Sequence, residues 1–372
     1  MVSRLQYASL VNYKKVNPVK QKALQNFQST FAGLNQYKIK IVPESIGHTA
    51  AVLDFQSTDF MLAFNLEGLG TKSLIADQLA VSKTFSNNKN LLKKFYENLA
   101  IDCVASSIND LTAVGAKPLI LADMIAFASN DLLNTSFRMD GLLAGFKKAA
   151  LKYKFAIPCG ETPVYPNLLM PHTIDLSAAS LGIISPKKNF VSGKKLKKGD
   201  KIFGLASSGL HANGLSLARK ISERLPKGYL TKLKNGKILA EELLNPSFIY
   251  SNLVSKLLDQ KIDLHYMNPI TGHGWQKIMR PKQNFTYRIS NIPDKPLIFD
   301  FLQSQGKLSN EEAYKTWNMG LGFVLMAPKK EGKKIERIAN REKIKFFELG
   351  IVEEGPKQVA LEPLNLVFKK LF

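Results

Sequence analysis

Cysteine is scarce in this 372-residue chain: Cys103 and Cys159 are its only two. They stand far apart, each inside an apolar run, so neither a disulfide framework nor a cysteine-rich metal site is supported. Long hydrophobic runs are also missing. The longest, around Pro118–Ala128 and Leu176–Ser185, are too short for a spanning helix, and the first carries Asp123. A soluble protein with no membrane partner is therefore expected. The stretch from Met1 to Lys15 alternates polar and apolar residues and lacks the apolar core and small-residue cleavage site of a signal peptide, so a reducing, cytoplasmic setting is the expectation. Short-period repeats, low-complexity tracts and sustained heptads are absent, which excludes solenoids and coiled coils.

Acidic residues are few. Thirty Asp and Glu face 52 Lys and Arg, a formal charge of +22. That balance attracts nucleic acid, anionic membranes or phosphorylated metabolites. The lysines come mostly in short runs near expected turns, such as Lys187-Lys188, Lys194-Lys195 and Lys329-Lys330. No aromatics interleave them for base stacking, and a solvated face is the preferred reading over a nucleic-acid surface.

What is present is a mixed α/β pattern with 45% hydrophobic residues, enough chain for two cores. Phe60–Asn65 reads as a buried strand, followed by the turn Glu67-Gly68-Leu69-Gly70-Thr71-Lys72 and a helix to about Val81. Apolar spacing predicts a long amphipathic helix over Asn88–Val114, with Asp102, Asn109 and Asp110 on its polar side. A strand over Lys117–Met124, a helix over Leu133–Tyr153 and a strand from Phe155 to Cys159 lead into the turn Gly160-Glu161-Thr162. Composition shifts to Lys, Gly, Ser and Pro around Ser185–Asp200, which places two domains at 1–185 and 186–372. The second opens with a strand over Lys201–Ala206, the turn Ser207-Ser208-Gly209 and a helix from about Asn213 to Ile221; a further helix is expected after Gly272-His273-Gly274.

Several of these turns carry chemistry. Glycines beside a hydroxyl, an ammonium and a carboxylate in Glu67–Lys72 suit close approach to phosphates and a metal ion held against them; a tight connection is the plain alternative. Asp102 and Asp110 lie eight residues apart, slightly over two helical turns, and so can share a face that supports oxygen-ligated Mg²⁺ or simply solubilises the helix. Ser207–Gly214 packs hydroxyls, the His211 imidazole and the Asn213 amide at a helix start, where backbone N–H groups favour anions. His211 is open to substrate binding, proton transfer or local capping.

Taken in order, Glu67–Lys72, Asp102 to Asp110, Cys159-Gly160-Glu161-Thr162, Ser208–Gly214, Ile270-Thr271-Gly272-His273-Gly274-Trp275 and Tyr314–Gly322 resemble the motif series of the phosphoribosylformylglycinamidine cyclo-ligase (AIR synthetase) family, over roughly residues 60 to 350. The resemblance implies a two-domain α/β fold, with an N-terminal domain that binds ATP and forms the dimer sheet and a C-terminal α/β domain. It further implies a homodimer and the ATP-dependent cyclisation of formylglycinamidine ribonucleotide to aminoimidazole ribonucleotide. By the same resemblance Gly68, Gly70, Thr71, Lys72 and Asn109 contact ATP, and Glu67, Asp102 and Asp110 hold Mg²⁺. Lys72 and His211 are then catalytic, and Glu161, Thr162, His211, Asn213, Thr271 and Gly272 bind substrate.

The chain departs from the family pattern in four places. Glu67 stands for Asp, Pro269 for a His before Ile-Thr-Gly, Cys159 for Gly, and Glu44–Ala51 for an upstream glycine-rich segment. These departures keep two other readings open, a sister ATP-dependent kinase or synthetase and a catalytically silent paralogue that binds nucleotide.

Overall fold

The computed structural model describes residues 7, 10, 13–134 and 136–369. Most of the N-terminal stretch read for targeting, and the terminal Leu371-Phe372, lie outside the described residues. The first half runs α1 (Tyr13–Phe27), β1 (Ile39–Ile41), β2 (Ala51–Phe55), β3 (Met61–Gly68), α2 (Ser73–Ala80), α3 (Lys89–Ala113), β4 (Lys117–Phe127), α4 (Ser136–Tyr153), β5 (Ala156–Glu161) and β6 (Ile174–Ile184). Its sheet has the order β1-β2-β3-β6-β4-β5, antiparallel except for the β4–β5 pair. The second half runs β7 (Lys201–Ala206), α5 (Leu215–Ser222), α6 (Leu239–Leu243), α7 (Ser251–Asp259), β8 (Tyr266–Pro269), β9 (Phe285–Ile289), α8 (Leu297–Gly306), α9 (Asn310–Thr316), β10 (Leu321–Ala327), α10 (Gly332–Arg341), β11 (Phe346–Glu354), β12 (Gln358–Leu361) and β13 (Leu366–Phe368). Its sheet is ordered β13-β12-β9-β11-β7-β10-β8. The two sheets thus divide between residues 184 and 201.

In the first sheet the alternation of side chains decides which face is covered. Met61, Ala63 and Asn65 of β3, and Ile174, Leu176, Ala178 and Ser180 of β6, point inward and are buried. Phe64 and Leu66, between them, remain 46% and 67% exposed. The helix α3 covers the inner face. It is capped by Asn88, whose side chain accepts from the Leu91 N–H, and it carries α4 on its back. Gly141 and Gly145 of α4 make that approach possible: a Cβ at these positions would lie 2.5 Å from the Lys93 carbonyl oxygen and 2.2 Å from that of Glu97.

The sequence predicts α3 as an amphipathic helix with one polar side. In the structure most of that side is buried too, because the second half of the chain packs over Asn98, Asp102 and Asn109, while Ser107 is buried against Asn65 and Ser180 of the first sheet. Three other elements differ from expectation. Glu67 and Gly68 end β3 instead of opening a turn, and Gly160 and Glu161 extend β5 along the sheet's exposed edge. The helix expected after Gly274 is a short 3₁₀ segment, Gly274–Met279.

In the second sheet β10 is buried along its whole length. Phe323 and Leu325 face α7 and α10 through Leu253, Leu257, Ile335 and Ile338, while Leu321, Val324 and Met326 join the larger core with Trp275 and Trp317.

Helix propensity favours alanine over glycine by roughly 1 kcal/mol, yet the clash at Gly145 outweighs it. Gly145→Ala is expected to destabilise the protein by about 1–3 kcal/mol in urea denaturation; a stabilised variant would show that α3 and α4 do not pack this closely.

Candidate functional site

One face of α3 carries side chains that hold the backbone of the second half. The Asn98 amide donates to the Leu244 carbonyl at 3.0 Å. Asp102 accepts from the Ser247 N–H at 2.8 Å and from the Ser247 hydroxyl. Asn109 donates to the Phe248 carbonyl at 2.8 Å and accepts from the Tyr250 N–H at 2.9 Å. Positions 98, 102 and 109 are four and seven residues apart, which sets them on one stripe of the helix. Lys72 completes this seam: its ammonium lies 2.6 Å from Asp102, both side chains 0% exposed, and donates to the Asn245 carbonyl at 2.9 Å. Burial lowers the Lys72 pKa, and the Asp102 carboxylate opposes that shift.

The loop around His211 locks onto the same segment. His211 adopts φ +61°, and its Nε2 accepts from the N–H groups of Ser208 at 3.1 Å and Phe248 at 3.4 Å. Nδ1 therefore carries the proton of a neutral ring. Burial, with the Lys72 charge adding to it, lowers its pKa to about 3. Ser208 and Asn245 reciprocate across the loop: the Ser208 hydroxyl donates to the Pro246 carbonyl and the Asn245 amide to the Ser208 carbonyl at 2.6 Å. Asn318 ties in the other motif blocks, donating to the carbonyls of Gly209 and Leu210 at 2.9 and 3.0 Å and accepting from the Ser207 hydroxyl at 3.0 Å. The Trp275 indole donates to the Asn318 carbonyl at 2.7 Å. Gly274, at φ +52°, sits so close to Tyr314 that a Cβ would meet its carbonyl oxygen at 2.1 Å.

On the other side of this seam opens a cleft of about 770 Å³ between the two halves, within the range of small-molecule sites. Glu67, Gly68, Gly70 and Thr71 form one wall with Asp110; Asn213, Thr271 and Gly272 stand on the second half. The Thr71 hydroxyl meets that of Ser216 across the cleft at 3.1 Å. Gly70, at φ +73°, has open space where a Cβ would be, so its backbone is approachable. Asp110 is pushed up to about 8 by burial and by the Glu67 carboxylate beside it, so Asp110 holds its proton near neutrality. Facing them, Lys277 is lowered by burial and by Arg280.

His48 and His273 also line the cleft. His48 is lowered to about 3 by burial and then by Arg280, Lys277 and Lys282. Because the Thr49 hydroxyl donates to the Asp110 carbonyl at 2.8 Å, it accepts from His48 Nδ1 at 3.0 Å, and Nε2 is left as a buried acceptor with no partner among the described residues. His273 falls to about 4, again mainly through burial. Pro269, where the family pattern has a histidine, lies inside β8 and pairs with Phe323, while His273 lines the cleft.

The structure therefore separates the site residues expected from sequence. Glu67, Gly68, Gly70, Thr71, Asp110, Asn213, Thr271 and Gly272 converge on the cleft. Lys72, Asp102, Asn109 and His211 do not; their polar atoms are consumed by the seam. In this structure Lys72, expected at phosphate, pairs with Asp102, expected at metal; Asn109, expected at nucleotide, clamps the backbone at Phe248 and Tyr250; and His211, expected at substrate, accepts from the N–H groups of Ser208 and Phe248. Glu161, exposed on the edge strand β5, and Thr162 just after it also fall outside the cleft. Among the described residues no three His, Cys, Asp or Glu side chains group as a metal site; two acids, Glu67 and Asp110, are what the cleft offers. Sequence reasoning missed Lys277 and Arg280, whose signal was a pair of cations three apart just after a glycine turn, and Lys20, whose helix carried no motif.

Fold and cleft define a two-domain α/β protein with a polar interdomain site. Residues 47–184 match the AIR synthase related protein N-terminal domain and residues 197–361 the corresponding C-terminal domain. The chain is 35% identical to the phosphoribosylformylglycinamidine cyclo-ligase of Methanococcus vannielii over 83% of its own length and 82% of that protein's. It is also 35% identical to the enzyme of that name from Pyrococcus horikoshii, over 86% and 87%. Among solved structures it resembles hydrogenase maturation protein HypE in complex with ATP, with TM-score 0.59 and 15% identity over 82% of this chain and 83% of that one. A thiamine-monophosphate kinase from Stenotrophomonas maltophilia gives TM-score 0.58 and 16% identity over 90% and 94%; these two likenesses concern the fold alone. The chain belongs to the AIR synthase related family, as an enzyme of its phosphoribosylformylglycinamidine cyclo-ligase branch.

Two outcomes follow from the seam and the acid pair. Lys72→Met strands a buried carboxylate and is expected to cost about 3–5 kcal/mol of stability, measured by urea denaturation; a variant as stable as the parent would mean that Asp102 is not buried against it. Asp110 has its folded-state pKa raised from 3.8 to about 8, so the folded state binds the extra proton and this residue's contribution falls as pH rises between those values. Asp110→Asn, whose amide can donate to Glu67, should therefore raise the melting temperature at pH 7.5 by roughly 2–4 °C, with the gain vanishing towards pH 4. A gain independent of pH would contradict a protonated Asp110.

Proposed function

We propose that the protein closes the imidazole ring of aminoimidazole ribonucleotide from formylglycinamidine ribonucleotide at the expense of ATP. The formyl oxygen attacks the γ-phosphorus and ADP leaves. The amidine-side nitrogen then attacks the activated carbon, and the C–O bond breaks to release inorganic phosphate; the nitrogen's proton is lost to complete the aromatic ring. No covalent bond to the protein is needed, so catalysis rests on positioning and charge stabilisation.

The observation that carries this reading is a single cleft, between the two family domains, with a carboxylate pair on one wall and cations on the other. Two carboxyl groups close enough for Glu67 to raise the Asp110 pKa fit a hard divalent cation. Glu67 and Asp110 would hold Mg²⁺, which when bound supplies neutralising charge to the nucleotide phosphates. The backbone at Gly68 and Gly70 and the Thr71 hydroxyl are placed to contact those phosphates. Asn213, Thr271 and Gly272 orient the ribonucleotide. His273, kept neutral by burial, is the imidazole available to accept a proton where the family pattern places a histidine at 269. We assign the exposed outer face of the first sheet, with Phe64 and Leu66, to a homodimer contact, since an apolar sheet face needs a cover.

Purified protein given Mg-ATP and formylglycinamidine ribonucleotide should release ADP and aminoimidazole ribonucleotide in equal amounts, and Glu67→Gln should lower kcat by roughly a hundredfold. ATP binding without either product would instead favour a silent or re-purposed paralogue. Sedimentation of the protein as a dimer, converted to monomer by Phe64→Glu with Leu66→Glu, is the expected result for the sheet face; an unchanged mass would remove that assignment.

A further inference from the structure

The cleft contains cations that the family motifs do not account for. Lys277 lies on the 3₁₀ segment after the glycine turn and Arg280 caps its end, its N–H donating to the Lys277 carbonyl, and both line the cleft. Arg280 is fixed in place by donation from Nη2 to the Gly47 carbonyl at 3.1 Å, a single one of its five N–H groups. The third cation, Lys20, comes from α1. That helix precedes both segments matched by the family models, the first of which starts at residue 47. None of the three forms an ion pair with a carboxylate among the described residues, unlike Lys187, with Asp54 at 2.6 Å, and Lys195, with Asp263 at 3.0 Å.

We propose that Lys20, Lys277 and Arg280 form the seat of a phosphomonoester dianion, the 5′-phosphate of the ribonucleotide substrate. The assignment rests on the ring-closure reading for the identity of that substrate. It divides the cleft by charge: the nucleotide triphosphate, with its cation, lies against Glu67, Asp110 and the glycine-containing wall, and the ribonucleotide phosphate lies against the basic wall. Three cations match a dianion, and Arg280 presents a planar fork suited to phosphate oxygens. Burial and then Arg280 lower the Lys277 pKa, Asp110 and Glu67 oppose that shift, and Lys20 adds to it; His273 is lowered by burial, then by Lys277 and Lys20.

The helix that brings Lys20 is thinly held. No described side chain of α1 is buried; Asn17, Gln21 and Leu24 face the cleft, and Leu24 lies near Gly47, whose Cβ would meet it at 3.9 Å. A ligand phosphate would thus supply α1 with a contact it lacks, strapping the helix over the bound ribonucleotide.

The test is calorimetric titration of the full chain with ribose 5-phosphate, ribose and the ATP analogue AMPPCP. Ribose 5-phosphate should bind and ribose should not. Lys20→Ala, on an exposed helix position that alanine suits, should weaken ribose 5-phosphate by roughly tenfold while leaving AMPPCP unchanged, and Lys277→Gln should weaken ribose 5-phosphate by a similar factor. In turnover, KM for the ribonucleotide should rise by a similar factor with KM for ATP constant. Undiminished ribose 5-phosphate affinity in Lys20→Ala, or a loss of AMPPCP affinity in its place, would overturn the assignment. A wild-type protein that binds ribose 5-phosphate through these residues but closes no ring would refute the reaction and leave the phosphate seat standing.

Discussion

The ion pair between Lys72 and Asp102 is the constraint on which the architecture depends. Both groups are removed from water, and such a pair is tolerable only if the remaining lone pairs and protons find partners. Those partners come from the other half of the chain: the Asn245 carbonyl for the ammonium, and the Ser247 N–H and hydroxyl for the carboxylate. Neither charge can be buried without residues 245–247 in place. The pair therefore couples folding of the first sheet's helical layer to docking of the second half, and the clamps from Asn98 and Asn109 extend that coupling along α3.

The seam in turn shapes the cleft. Lys72 follows Thr71 directly, so drawing the lysine inward leaves Gly70 and Thr71 on the opposite side, facing the open space. Asp110 lies two turns along α3 from Asp102 and emerges at the cleft, where Glu67 at the end of β3 meets it. One helix thus supplies both the buried joint and half of the acid pair. On the far wall, Asn318 holds the loops around Gly209, Trp275 and Gly320 in one cluster, which fixes the start of the 3₁₀ segment that aims Lys277 and Arg280.

Several motif blocks thus act through structure. His211 and the Tyr314–Gly322 block have the composition of a chemical site, yet their hydrogen bonds are internal. Sequence patterns of hydroxyls, imidazoles and amides around glycine do not distinguish a loop that binds a ligand from one that binds its own backbone, because the donors and acceptors required are the same. The difference lies in whether a partner is already at hand, which is a property of distance.

Apolar periodicity, turn chemistry and ordered motifs are local in the chain, and they sufficed to read the α/β class, the succession of strand and helix around Gly70, the span of α3 within a residue at each end and the family. The sequence also identified most of the acidic and glycine-containing wall. Which polar residues became seam and which became site was decided only by the tertiary structure. Asp102 and Asp110 are indistinguishable by type and share a helix, but one meets Lys72 and Ser247 and the other meets Glu67. The basic wall was equally out of reach, since Lys20 and Lys277 are 257 positions apart in the chain and become neighbours only when the two halves close upon each other and α1 crosses the cleft.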